Sequence, residues 1–116
     1  MNEKNTLYDL KALSQAVGGD KESIKDMIRI FLSTLPPFLK EIEKNMEKGN
    51  WKDVAKTAHT VKSNIDMIGV KSSFYKIKEI EFLAKQEKDT DKIAELFKEV
   101  EKEMNMVFDG LKKELE

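Results

Sequence analysis

The chain of 116 residues has no cysteine, a single histidine and no marked excess of either charge, with 21 Lys+Arg against 22 Asp+Glu. Without cysteine there is no disulfide, no thiolate nucleophile and no zinc site built on sulfur. One histidine and no thiolate also argue against a transition-metal centre. A net charge of −1 gives no sign of the basic excess that nucleic-acid binders usually carry on one face. No apolar run approaches the ~20 residues that cross a bilayer, and the opening Met1-Asn2-Glu3-Lys4-Asn5-Thr6 lacks an apolar signal core. These absences lead us to expect a cytoplasmic protein with no direct membrane contact. The length suits one domain, residues 1–116, large enough for one core but not for a cleft between two.

What is present is helical periodicity. Leu7, Leu10, Leu13 and Val17 mark a short helix from about Asp9 to Val17, stopped by Gly18-Gly19. Asp20 is placed to cap a second helix carrying Ile24, Met27, Ile28, Phe31 and Leu35. Ile30 and Leu32 widen its apolar arc to roughly 200°, more than one buried face requires. Pro36-Pro37 predicts a break or kink there, and the pattern resumes through Phe38, Leu39, Ile42 and Met46 to a stop at Gly49. Asn50 is expected to cap a helix from Trp51 to Ile68, closed by Gly69, and Ser72 or Ser73 to cap the next, from about Phe74 to Gln86. The last helix runs from Thr90 or Asp91 to about Glu114, and Gly110 is expected to let its end fray. Neither strand signal nor internal repeat is present. Short turns between helices imply an all-α, antiparallel up-down-up-down four-helix bundle with one or two additional short N-terminal helices.

The candidate site is the helix that carries His59. On a 100° wheel Trp51, Val54, Ala58, Val61, Ile65 and Ile68 share one arc, and His59 lies roughly 120° from its centre, at the flank of the bundle. Lys62 stands one turn on and slightly nearer the core, Ser63 further out, and Lys52 and Lys56 share the side of the histidine. On the next helix Glu81 falls among apolar positions, where a charge is costly unless partnered. His59 is ~13.5 Å before the turn and Glu81 ~12 Å after it. A carboxylate at that height can accept from Nδ1–H and leave Nε2 as the nucleophile. Alternatively, Glu81 reaches water or pairs with a lysine such as Lys62 or Lys78.

Ala58-His59-Thr60-Val61-Lys62-Ser63, followed by Gly69, resembles the signature of histidine-containing phosphotransfer (HPt) domains of multistep phosphorelays. Tyr8-Asp9-Leu10, Gly19-Asp20, Phe31-Leu32 and Trp51 before Val54 resemble the same family. Val61 and Ser63 stand where many members have Leu and Gly, a difference that bears on partner choice. The resemblance implies a phosphoryl carrier without autokinase or ATP-binding activity. His59 would be the phosphoacceptor, Lys62 would stabilise the phosphoryl oxygens, and Glu81 would orient the imidazole. The implied partners are receiver domains of response regulators and of a hybrid sensor histidine kinase. No cofactor would be bound by this chain, because Mg²⁺ would sit in the receiver. Docking would surround His59, with Lys56 and Ser63 beside it, and use apolar residues of the N-terminal helices; Leu10, Leu13, Ile24, Ile28 and Phe31 are the candidates, unless all are core. A monomer is expected. Two alternatives stay open: a docking or oligomerisation module in which His59 is incidental, and acid–base chemistry of Glu81 and His59 on a small substrate.

Overall fold

The computed structural model describes residues 7–116, so the reading of Met1 to Thr6 lies outside the described residues. Five helices follow in order: α1 Lys11–Ala16, α2 Lys21–Lys48, α3 Trp51–Met67, α4 Lys71–Gln86 and α5 Thr90–Glu114. Four are long and one is short, with no strand among the described residues. α2 packs on α3 and α5, α3 on α4, and α4 on α5, which closes a ring, while the short α1 lies on α2. The bundle measures 42 × 26 × 20 Å, and its long dimension matches the ~1.5 Å per residue of the 28-residue α2.

Each long helix turns one stripe inward. Ile28, Leu35 and Ile42 of α2, Val54, Val61 and Ile65 of α3, Ile77 and Ile80 of α4, and Ile93, Met104 and Leu111 of α5 are all essentially inaccessible to solvent. The broad arc of α2 is divided: Ile28, Phe31 and Leu35 are buried, Ile24, Met27 and Leu32 half-buried, and Ile30 stays 49% exposed.

Several local expectations are corrected. Pro36-Pro37 does not break α2, which is helical from Lys21 to Lys48. Leu35, Leu39 and Ile42 bury on the same core from both sides of the prolines, and that burial outweighs the missing N–H donors. Asn50 makes no capping bond to α3; its amide instead approaches Asn45 Oδ1 at 3.4 Å. α4 starts earlier than its serines suggest, at Lys71 after Val70. Ser73 is fully buried and donates to Glu103 Oε1 of α5 at 2.6 Å, a tie between helices instead of a cap. α5 is helical through Gly110 to Glu114. A Cβ at Gly110 would lie 2.8 Å from the Tyr8 ring, so the glycine makes room for the N-terminal strap, residues 7–10. Asp20 does cap α2, its carboxylate accepting from Ser23 N–H at 2.9 Å.

The α3–α4 turn is fixed by the same strap. Gly69 sits at φ +66°, where a side chain would run into the Asp9 backbone, and the Asp9 N–H donates to the Ile68 carbonyl at 3.1 Å. This contact sets the register in which α3 and α4 run back along each other.

Candidate functional site

His59 and Glu81 meet across the α3–α4 pair, with Nδ1 2.9 Å from Glu81 Oε2. The histidine side chain is 67% exposed and that of Glu81 only 7%. The imidazole thus leans out of the bundle on a carboxylate rooted within it. The other carboxylate oxygen, Oε1, accepts from Lys62 Nζ at 2.8 Å, and Lys85 Nζ stands 3.3 Å from Oε2. Burial alone would push the Glu81 carboxyl up, but hydrogen bonds from Lys62, His59 and Lys85 overturn it and bring the pKa down to about 2. The group is therefore a carboxylate at neutral pH.

That ionisation fixes the tautomer. A carboxylate can only accept, so the proton between the two groups belongs to Nδ1. Whenever the ring is neutral, its lone pair is then on Nε2, which takes no hydrogen bond among the described residues. The histidine lies in an open hollow of about 570 Å³ lined by Lys52, Ala55, Lys56, Thr60, Glu81 and Lys85. Its lining includes the small side chain of Ala55 and three lysines.

The other sequence-derived candidates separate into two groups. Lys56 and Ser63 are exposed on the His59 side of α3. Leu13, Ile28 and Phe31 are in the core at 0%, 1% and 4% exposure, which leaves no surface to offer a partner, and Leu10 and Ile24 are half-buried. Lys62 is mostly covered, at 23% exposure, and donates to Glu81. Of the two lysines offered as partners of Glu81, Lys62 pairs with it and Lys78 does not. Lys85 is a second partner that the sequence reading missed, and its signal was the i, i+4 spacing from Glu81, which places a lysine one turn on over the same face. Among the described residues no group of three or more His, Asp or Glu side chains is arranged to hold a metal ion, and no helix is long and apolar enough to cross a membrane.

No curated protein and no solved structure matches the chain. Residues 26–110 match the Hpt domain family, a span that takes in α3, α4 and nearly all of α2 and α5. Because that match covers well over half of the sequence and contains the whole His59–Glu81–Lys62 constellation, the chain belongs to the Hpt domain family.

Proposed function

We propose that the protein is a phosphorelay intermediate, accepting a phosphoryl group on His59 from the phospho-aspartate of one receiver domain and passing it to another. The observation that carries this reading is the 2.9 Å contact of Nδ1 with a buried, ionised Glu81, which leaves an exposed ring with its nucleophilic nitrogen outward. The Nε2 lone pair attacks phosphorus, the N–P bond forms as the P–O bond to aspartate breaks, and the aspartate leaves as a carboxylate. The attacking ring was neutral and becomes positively charged, with Nδ1–H retained. Glu81 stands against that charge throughout, which favours the transfer as a fixed counter-ion does in other carboxylate–histidine pairs. The return transfer reverses the same steps.

Lys62 supplies a positive charge one turn from His59; its ammonium gives one donor to Glu81 Oε1 and has two more to offer phosphoryl oxygens. Phosphoryl transfer also needs Mg²⁺ and in-line positioning; in this reading the receiver brings both. The chain is then a carrier and not a kinase. The test is to mix it with a Mg²⁺-loaded, phosphorylated receiver from the same source, follow intact mass and map the product. An acid-labile phosphoryl group on His59, absent from His59→Gln, is the expected result. A folded protein that takes no phosphoryl group from any receiver returns the bundle to a docking module.

A further inference from the structure

Two glycines on different parts of the bundle are cleared for the same short segment. At Gly69, φ +66°, a Cβ would collide with the Asp9 carbonyl oxygen and lie 2.8 Å from the Asp9 nitrogen. At Gly110, inside α5, it would lie 2.8 Å from the Tyr8 ring. Tyr8 and Asp9 are consecutive, with Cα atoms ~3.8 Å apart, so displacing one pulls on the other. Tyr8 is buried and its hydroxyl donates to Glu114, while the Asp9 N–H donates to the Ile68 carbonyl. Hollows of about 310 and 300 Å³ border Asp9 and Gly69, and one of about 580 Å³ borders Tyr8 and Gly110. The strap is thus pinned at two seats with open space beside each.

What the first seat holds is the turn between the two helices of the candidate site. Only Ile68, Gly69 and Val70 separate α3 from α4. Ile68 and Val70 are buried, so a shift of Gly69 passes into the start of α4, and Glu81 is about three helical turns further on. Burial of Ile65, Ile77 and Ile80 fixes which turns of α3 and α4 meet. The 2.9 Å contact of Glu81 with His59 Nδ1 needs finer placement. A carboxylate ~5–6 Å from a helix axis moves about 1 Å when the helix turns by ~10°, enough to break that hydrogen bond. A misplacement on the order of 1 Å can slow a reaction ~100-fold.

We propose that the strap, residues 7–10, is a latch that positions Glu81 against His59 through the Gly69 turn, which makes Tyr8 and Asp9 positioning residues of the phosphoryl-accepting site; its bearing on transfer rests on the function proposed above. Seated, the strap holds Glu81 where Nδ1–H can donate to it and Nε2 keeps the lone pair. Unseated, α4 is free to turn about its axis, the carboxylate leaves the ring, and the neutral ring divides between its two tautomers. The nucleophilic nitrogen then faces outward in only part of the molecules. The charge that forms on the ring has also lost its counter-ion.

The experiment compares wild type with Gly110→Ala and Tyr8→Ala, each verified as folded by circular dichroism and kept well below its melting temperature. Gly110→Ala evicts the Tyr8 ring from within α5, and Tyr8→Ala removes the anchor itself; neither changes a residue of α3, α4 or the site. Nitrogen NMR of the His59 ring, at a pH where the ring is neutral, reads the tautomer. Transfer from a Mg²⁺-loaded, phosphorylated receiver reads the rate. Wild type is expected as the Nδ1–H tautomer, and both variants as a mixture whose transfer is slowed by roughly tenfold or more. A purely structural role for the strap would lower the melting temperature and leave the ring of the folded protein unchanged. An unmixed Nδ1–H tautomer in either variant, or transfer at the wild-type rate, overturns the latch. If the tautomers respond as expected but wild type takes no phosphoryl group from any receiver, the latch on Glu81 stands and the relay reading falls.

Discussion

Glu81 holds two ammonium groups and an imidazole on its two oxygens, and what that does to each partner can be tested by changing one side chain at a time. His59 is exposed, so His59→Gln is expected, if the proposed relay holds, to abolish phosphoryl acceptance while leaving stability within about 1 kcal/mol of wild type. Glu81→Gln is expected to cut the transfer rate by roughly tenfold to a hundredfold, because the developing ring charge loses its counter-ion. It should also destabilise the fold by about 1–3 kcal/mol at neutral pH, since Lys62 loses its ionic partner. The sign of the pH dependence follows from the depressed carboxyl. Its stabilisation is complete above its ordinary value of 4.5 and is lost as pH falls toward about 2. The gap in melting temperature between wild type and Glu81→Gln should therefore narrow across that window. The pairing was legible in the sequence because two independent readings, wheel angle and height from the Gly69 turn, brought Glu81 to His59. Which apolar residues of the N-terminal helices stay at the surface was not. A wheel shows that Leu13, Ile28 and Phe31 lie on an apolar arc, but not which part of an arc that wide a neighbouring helix covers.

Among the helices, the departures from expectation share one cause: long-range burial overrode a local signal. α2 runs through Pro36-Pro37 because the residues on either side are committed to the core. The structure thus carries an uncorrected local defect, and repairing it should help. Pro37→Ala, at an exposed position, restores an N–H donor and removes a ring clash worth up to about 3 kcal/mol, against about 1 kcal/mol lost by loosening the unfolded chain. A rise of several degrees in melting temperature is expected. Gly110 gives the opposite outcome from its propensity. Alanine would gain about 1 kcal/mol in an open helix, but here the new Cβ meets Tyr8 at 2.8 Å, so Gly110→Ala should lower the melting temperature. The serines before α4 show the same limit of sequence reading. A serine near a helix start looks like a cap, and nothing local reveals that Glu103, thirty residues on, takes the Ser73 hydroxyl. Helix number, order and most boundaries were legible because each long helix has its own stripe; the contacts that decide caps and kinks are made by residues distant in sequence.

On the scale of the whole bundle, the two ends of the described chain meet. Tyr8 donates its hydroxyl to Glu114 Oε2 at 2.8 Å, and burial, with that hydrogen bond and the nearby negative charge, pushes its pKa up to about 12. The protonated phenol therefore stabilises the fold fully below about 10, and that contribution is lost as pH rises toward 12. A Tyr8→Phe variant should lose less stability than wild type over that alkaline range, read by thermal melts. The same contact has a mechanical meaning. Tension applied between residues 8 and 114 loads the strap first, because the points of attachment already touch. One residue on, Asp9 is bonded to the Ile68 carbonyl at the α3–α4 turn, so the load passes from the strap straight to the hairpin that carries His59. In an optical trap, loss of the strap and loosening of that turn should come together as the first step.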